Sequence, residues 1–538
     1  MTAKKLWMLP LLVALVVTGL SAQEQKGDVL ATLVPANALA VAYIPNLTNA
    51  EAKVRKIAAM IEEDAADMID VAGLTAMAGG EELPIDGSKP AAIAVCPPED
   101  DFADPTIVLM LPFKDAKKVG QDIASMGFDQ DPVVRGNYVA FASEGNFKVG
   151  DTPSRLLVGL PNADGVLRID LAAVLKTWGD EIGEGLEMAM EQALEESGGD
   201  PAAEAMIKPM FQWTRAVMDS ADLLDINLKI SDTNVNFGFD LREKKASAMA
   251  KSGLIKGGGL GRLAGLLPSS HALQMMMSLD IGGLMKTFMP MYKKIAESMP
   301  EEQRDAFNQV MDANLKLLDG LGSEFGFSMG ASSKGIQLVQ VFTADDPAAF
   351  VKKTLGFMNN EMFQKIGVIG VAGETKDGIS TVKMKFDWEK LGQMVGQPIG
   401  DPEMMVGIMK SIFGEDDPTM RLATVGENTV VVTIGGGEAL MRTALAGFEG
   451  GAKGGLKNTL DKAGRAPAMV FHMDLRKAVT QVISLVEAMD MGGDMPQVAD
   501  GPPAPIGVYA GRSGLVYSAG ITVEVAGVAN MIKQMSGW

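Results

Sequence analysis

The sequence predicts an α+β protein of two related halves, each a mostly antiparallel sheet packed against helices and carrying helical insertions. The main observation is a short apolar strand that runs into Asn or Asp, then Leu or Ile, then a helical pattern. This unit occurs four times, at residues 40–47, 166–171, 275–281 and 469–475. Two further observations are the alternation of apolar and polar residues in strands, and amphipathic segments long enough to be helices.

The residue between each strand and its helix explains why a helix begins there. Asn46, Asp170, Asp280 and Asp474 occupy this position. Their side-chain oxygens can accept hydrogen bonds from the free backbone N–H groups of a first helical turn, so we expect them to cap helices. An apolar period of about 3.6 residues follows each of them, as a helix requires.

A second unit follows each copy of the first, and in it a strand leads through a polar turn into another helix. Its strands are residues 107–113, 236–241, 338–343 and 518–523. The two units alternate in order along the whole chain, which predicts an internal duplication. Residues 380–386 and 429–434 add two strand-like runs to the second half, so the copies have diverged.

The duplication divides the chain into five predicted segments. Residues 33–39 and 266–273 open the two halves with the same pattern of Leu-x-Pro, small residues and Ala-Leu. The predicted segments are a signal peptide at 1–22, an N-terminal linker at 23–33, a first repeat domain at 34–256, a Gly-rich junction at 257–265 and a second repeat domain at 266–538.

The same patterns predict how the sheets and helices are arranged. Residues 227–230 and 381–386 alternate apolar and polar side chains, which predicts sheets with one solvated face and helices on the other. The predicted helical insertions are residues 181–197, 201–220 and 300–318, and residues 525–535 are predicted as the helix that follows the last repeated strand.

The N-terminus carries the three parts of a secretory signal peptide. Lys4 and Lys5 supply positive charge, residues 6–20 are largely apolar, and small residues Ser21 and Ala22 end the segment. A membrane anchor is the rival interpretation, but about 20 apolar residues are needed to span a bilayer and this run is shorter. We therefore expect a periplasmic or secreted protein with no transmembrane segment after cleavage.

Charge and cysteine content exclude several classes of function. The chain has 48 basic and 68 acidic residues and a net charge of −20. Nucleic-acid binding is disfavoured, because contacts to phosphates need clusters of Lys and Arg. Cys96 is the single cysteine, so no intramolecular disulfide can form. Its apolar surroundings predict a buried, unreactive thiol.

No residue pattern predicts a catalytic centre, a cofactor site or a metal site. The two histidines, His271 and His472, have no spacing typical of zinc ligands. Ser380 and Lys383 match Ser-x-x-Lys, but a strand would direct their side chains to opposite faces. Residues 259–264 fit a loose dinucleotide-binding pattern, but no predicted strand precedes them, so a linker is the better interpretation.

Acidic clusters and methionine are the remaining candidates. The clusters at residues 62–67, 99–104 and 415–417 lack the spacing of a calcium-binding loop. The chain has 38 methionines. Three interpretations of them stay open: flexible core packing, an apolar binding groove, and a Cu(I) site made of thioethers.

Several of these segments resemble a group of known proteins. The opening at residues 33–39, the strand–Asp–Leu–helix unit and the stretch at 428–436 resemble large exported bacterial proteins of unknown function that contain duplicated strand–helix modules. The resemblance spans most of the mature chain. It implies export and duplication, and it brings no catalytic residues with it.

We therefore expect a non-catalytic exported protein that acts as a binding or scaffold module of the bacterial cell envelope. Its partner would be a protein or an apolar ligand. The alternative is a carrier that holds lipid or another apolar ligand in a Met-rich cavity between sheet and helices. An enzyme would need an acid–base pair that meets only in space, and Asp170, Asp280 and Asp474 would be the first acids to test.

Overall fold

The computed structural model describes most of the chain between residues 29 and 535. The described ranges are 29–66, 84–98, 104–126, 130–142, 145–198, 201–244, 260–280, 320–332, 335–358, 368–388, 418–463, 467–488 and 500–535, with isolated positions inside 289–315 and 407–414. The predicted signal peptide at 1–22 and most of the predicted helix at 300–318 lie outside these ranges.

Eleven α-helices lie within the described ranges. In chain order they are α1 (Val29–Leu33), α2 (Leu47–Ile61), α3 (Ala116–Ser125), α4 (Leu171–Glu196), α5 (Pro201–Ser220), α6 (Leu260–Ala264), α7 (Pro347–Met358), α8 (Gly437–Ala446), α9 (Gly454–Ala463), α10 (Leu475–Ala488) and α11 (Val525–Met535). Of these, α1 falls within the segment predicted as a linker and α6 within the predicted junction, and both are packed into cores.

Eighteen strands accompany these helices in the described ranges. The strands of the first part of the chain are β1 (Ala40–Ile44), β2 (Ala91–Cys96), β3 (Thr106–Pro112), β4 (Val133–Arg135), β5 (Tyr138–Ala142), β6 (Gly165–Asp170), β7 (Ala221–Ile230) and β8 (Asn234–Glu243). The others are β9 (Leu273–Ser278), β10 (Leu321–Ser332), β11 (Gly335–Ala344), β12 (Val368–Lys376), β13 (Ile379–Phe386), β14 (Thr419–Val425), β15 (Thr429–Ile434), β16 (Pro467–Asp474), β17 (Pro505–Ser513) and β18 (Val516–Glu524).

The chain forms two compact units, and neither is a single continuous segment. Unit 1 contains the described parts of Met1–Gln192, Phe211–Ser247 and Leu515–Asn530. Unit 2 contains those of Ala193–Met210, Ala248–Gly514 and Met531–Trp538.

In unit 1 the strands form an antiparallel sheet with β1 near its centre. The order is β4–β5–β3–β2–β1–β6–β7–β8–β18, and each of these pairings is antiparallel. The last strand, β18, comes from the C-terminal end of the chain and extends the sheet beyond β8.

In unit 2 the strands form a second antiparallel sheet, in which β9 lies between β10 and β16. The order is β12–β13–β14–β15–β11–β10–β9–β16–β17. The predicted α+β class, with mostly antiparallel sheet and helices, is therefore confirmed.

The predicted helix caps are present wherever the following residues are described. Each capping oxygen accepts a hydrogen bond from the backbone N–H three residues later, which satisfies one of the free donors of the first turn. The bonds run from Asn49 to Asn46 at 3.0 Å, from Ala173 to Asp170 at 2.9 Å and from Lys477 to Asp474 at 3.3 Å. Asp280 ends its range, and the residues after it lie outside the described part of the chain.

Each sheet packs one face against short helices, and we call this the core face; part of the opposite face is covered as well, by α3 in unit 1 and by α7 in unit 2. In unit 1, Leu30 and Leu33 of α1 pack in a cluster with Val41, Val108 and Ala140. In unit 2, α6, α8 and α9 contribute to the corresponding cluster. Its members include Leu263, Met441, Leu456, Met276 and Val470.

The opposite side of each sheet is the reverse face, and its chemistry differs from what the alternation predicts. Lys383 of β13 is exposed and Val382 is buried, as expected for a solvated face. In β9 the pattern is inverted: polar Gln274 is 2% exposed on the core face, whereas Met275 and Met277 on the reverse face are only partly buried. The prediction of one solvated, polar face is therefore wrong for the central strands, because their polar residues find partners inside the core.

Candidate functional site

Arg168 of β6 and Asp225 of β7 form a completely buried ion pair in unit 1. Both side chains are 0% exposed, and the strands place the two residues directly opposite each other. Nε of Arg168 donates to Oδ1 of Asp225 at 2.5 Å, and Nη2 donates to Oδ2 at 2.7 Å. The geometry is bidentate, which makes an Arg–carboxylate pair both strong and directional.

The remaining donors of Arg168 bind the chain segment that lies over it. Nη1 donates to the carbonyl oxygens of Val158 at 2.6 Å and Arg155 at 3.4 Å, and Nη2 donates to that of Gly159 at 3.1 Å. A guanidinium has five N–H groups, and all five of these have acceptors. The guanidinium of Arg168 therefore bonds both Asp225 and the turn at residues 155–159, and it fixes this turn on the sheet.

Two more arginines complete this group. Nη2 of Arg242 donates to Oδ2 of Asp225 at 3.1 Å. Arg155 donates from Nε to Asp170 at 2.9 Å and from Nη1 to Asp222 at 3.2 Å. We call Arg155, Arg168, Arg242, Asp170, Asp222 and Asp225 the arginine cluster. Each of its carboxylates bonds an arginine, so the cluster leaves no buried charge uncompensated.

The three acids singled out from the sequence are divided between the two units. Asp170 lies in unit 1, where it caps α4 and pairs with Arg155. Asp280 and Asp474 belong to unit 2. Oδ1 of Asp474 accepts bonds from the backbone N–H groups of Lys477 and Ala504, both at 3.3 Å. Asp170 and Asp474 therefore have the structural role that the capping prediction assigns to them.

Both histidines are buried in unit 2. His271 is 3% exposed and its Nδ1 lies 2.9 Å from Oγ of Ser328. His472 is 5% exposed and its Nδ1 lies 3.3 Å from Oγ1 of Thr459. Burial lowers the pKa of each imidazole to about 4, because the charged form is poorly solvated there. Both rings are therefore neutral near pH 7.

The other sequence candidates are placed as structural residues or lie outside the described ranges. Ser380 and Lys383 lie on strand β13, where Ser380 bonds Thr375 at 2.9 Å and Lys383 is exposed. Burial raises the pKa of the Cys96 thiol to about 11. Leu260, in the loose dinucleotide pattern, begins the buried helix α6. The acidic runs at 99–103 and 415–417 are outside the described residues.

The described residues contain neither a metal-binding cluster nor a membrane-spanning helix. No group of three or more His, Cys, Asp or Glu side chains there could hold a metal ion. Nor does any helix in those ranges combine the length and apolar character needed to cross a membrane.

The reverse face of unit 1 is apolar across four neighbouring strands. Register places Leu167, Ile226, Phe239 and Ala519 in one row across β6, β7, β8 and β18. Most of the side chains on this part of the face are partly buried; Leu228 is only 3% exposed, whereas Ile521 is 42% exposed. The apolar residues that define it are Leu167, Ile169, Leu224, Ile226, Phe237, Phe239, Leu241, Ala519 and Ile521.

The reverse face of unit 2 has the same character but is rich in methionine and phenylalanine. Phe327, Met275, Phe471 and Val508 form one row across β10, β9, β16 and β17. Its members are all partly buried except Met329, which is 39% exposed. They are Leu273, Met275, Met277, Phe325, Phe327, Met329, Met469, Phe471, Met473, Ile506, Val508 and Ala510.

Sequence reasoning proposed a Met-rich apolar groove or cavity, but it did not assign it to either of these two faces. A signal was present in Met275–Met276–Met277, which implies apolar side chains on both sides of one strand. Contiguous apolar side chains that remain partly exposed are unusual on a protein that acts alone, and they typically mark binding surfaces.

Comparison with known proteins gives no family assignment. No protein family and no curated protein matches the chain. Among solved structures, crystal form III of TP0453 is similar at 8% identity and crystal form I at 9%, each with a TM-score of 0.22. The matches cover 50% and 51% of this chain and 96% of the TP0453 chain. A TM-score this low does not establish a shared fold.

Proposed function

We propose that this chain is a non-catalytic binding protein of the bacterial cell envelope, and that its reverse faces take an apolar ligand such as the acyl chains of a lipid. The observation that carries the proposal is the inverted chemistry of the central strands. Arg168, Asp225 and Gln274 are buried and bonded, whereas most of the apolar side chains on the reverse faces of these strands are partly exposed. Exposed apolar area of this kind favours association with apolar groups.

The role of the ionisable groups supports a non-catalytic protein. General acids, bases and nucleophiles must be able to reach a substrate. Arg168 and Asp225 are completely enclosed, and Asp170 and Asp474 hold helix starts. The thiol of Cys96 is 1% exposed and protonated at neutral pH.

The methionines of unit 2 support an apolar ligand in particular. Met275, Met277, Met469 and Met473 share the reverse face of two adjacent strands, and Met329 lies on the strand next to them. Methionine side chains are flexible and polarizable, so a surface made of them adapts to ligands of irregular shape. An acyl chain is such a ligand.

Export and internal duplication belong to the same proposal. The signal-peptide pattern at residues 1–22 supports export. Strand order supports duplication: β1 lies between β2 and β6 in unit 1, and β9 lies between β10 and β16 in unit 2. Sequencing the N-terminus of protein secreted by its host tests export, since cleavage should leave a chain that begins at Ala22 or Gln23.

The ligand is tested with purified full-length protein and a fluorescent acyl-chain probe. We expect saturable binding, and native mass spectrometry should show lipid that co-purifies with the protein. Met329→Glu places a charge on the reverse face of unit 2 and should weaken binding by about tenfold, which corresponds to about 1.4 kcal/mol.

Met126→Glu is the matched control, because Met126 ends α3 and is 38% exposed against 39% for Met329. It should leave probe binding unchanged. A clean protein mass with no probe binding would instead favour a scaffold with a protein partner. Equal weakening by both variants would show that the probe binds somewhere other than the reverse face.

A further inference from the structure

His472 lies between the sheet of unit 2 and the first turn of α9. Gly455 of that turn packs directly on the ring: a Cβ atom added to it would lie only 2.1 Å from Cε1 and Nε2 of the imidazole. Thr459, one turn further along α9, bonds Nδ1 of His472 at 3.3 Å and is 3% exposed. The imidazole is thus enclosed by the helix that covers it.

A protonated His472 ring would find no carboxylate at the cross-strand positions of the two neighbouring strands. Gln274 on β9 and Gly507 on β17 are the cross-strand neighbours of His472. Unit 1 differs at the position two residues before its capping aspartate, where Arg168 stands opposite Asp225. A permanent charge in unit 1 is therefore compensated, whereas His472 has no carboxylate opposite it.

The charged groups near His472 give little net support to protonation. Asp474, on the same strand, favours the charged ring, while Lys477 of α10 disfavours it. Helix α9 carries Lys457 and Asp461, which pair with each other at 2.5 Å, and Lys462. The first turn of α9 lies against the ring, and the partial positive charge of a helix N-terminus also opposes a cation.

We propose that α9 is an acid-released cover: protonation of His472 favours a state in which α9 has left the sheet of unit 2. In that state the imidazolium reaches water, and the core residues beneath α9 become exposed. Leu456 of α9, which is 0% exposed, packs there with Met276 and Val470.

The size of the effect follows from linkage. The pKa of His472 is about 4 when α9 is closed and 6.5 in water, so the open state binds the proton more tightly. Between about pH 7 and about pH 5 the opening equilibrium of α9 should rise by about 20-fold, and the limit at lower pH is about 300-fold.

Hydrogen-exchange mass spectrometry of the full-length protein tests the proposal. After correction for the intrinsic pH dependence of exchange, residues 454–463 should lose more protection on acidification than α8 at residues 437–446. His472→Gln removes the titrating group and should abolish the pH dependence of α9. His271→Gln is the matched control, because it removes the other buried imidazole and should leave that dependence intact.

Three results would overturn the inference: unchanged acid opening in His472→Gln, loss of the effect in His271→Gln, or an equal loss of protection in α8 and α9. If His472→Gln does not fold, NMR titration of the two histidine rings in the wild-type protein takes its place. Protonation of His472 should coincide with the opening of α9, and titration without opening would contradict the proposal.

Discussion

Removing the carboxylate of Asp225 is the sharpest test of the arginine cluster. In Asp225→Ala the guanidinium of Arg168 stays buried and retains only carbonyl acceptors on the turn that covers it. Loss of one partner from a buried ion pair costs about 3–5 kcal/mol, because the other charge is left uncompensated. A domain is typically stable by about 5–15 kcal/mol, so much of the stability of unit 1 should be lost.

The converse substitution should be milder. In Arg168→Met the carboxylate of Asp225 still has Arg242, whose Nη2 lies 3.1 Å away. We expect a loss of about 2 kcal/mol from the carboxylate bonds that are no longer made. The double variant should cost less than the sum of the two single changes, since no buried charge remains unmatched.

Urea denaturation followed by circular dichroism measures these changes, and hydrogen exchange of residues 221–230 localises them to β7. Arg442→Met is the matched control. It removes the same group from exposed pairs with Glu438 and Asp377, on a side chain that is 56% exposed, so it should leave stability nearly unchanged. The reasoning is refuted if Asp225→Ala is as stable as Arg442→Met.

Three further predictions use other features of the structure. Asn46→Ala should destabilise unit 1 by about 1 kcal/mol in urea denaturation through loss of the α2 cap, and Asn49→Ala, which keeps the backbone donor, should be near neutral. Cys96 should resist a thiol reagent in the native protein at mildly alkaline pH and react in urea, and rapid native labelling would contradict its burial. The pKa of His271 is lowered from 6.5 to about 4 in the folded protein, so the unfolded chain binds more protons between these two pH values. The free energy of unfolding should therefore be highest above about pH 6.5 and should fall towards pH 4. In His271→Gln this fall should be less steep.

The local elements of this fold can be predicted well from its sequence. Residues 201–220 and 525–535 are predicted as helices and form α5 and α11 with these bounds. The run predicted at 429–434 is β15. These predictions succeed because periodicity and capping act between residues that are close in the chain.

The faces of the central strands could not be predicted in the same way. Arg168 is buried because residues 155–159 fold over it and Asp225 stands on the next strand, 57 residues away along the chain. Gln274 is buried because its amide reaches carbonyl oxygens of residues 267 and 268. These hydrogen-bond partners come together only in the folded chain. A hydrophobic pattern read from the sequence places Arg168 and Gln274 on the solvated face, because it contains no information about such partners.

The position of β18 has a consequence for how the protein is made. Residues 516–524 pair along nearly the whole length of β8, a strand that is synthesised almost three hundred residues earlier. Until residues 516–524 pair with it during folding, β8 is an open sheet edge with free backbone donors and acceptors, the kind of edge that recruits other chains. A premature stop or a proteolytic cut shortly before residue 515 should therefore yield an aggregating product, even though it removes only the last few elements of the chain.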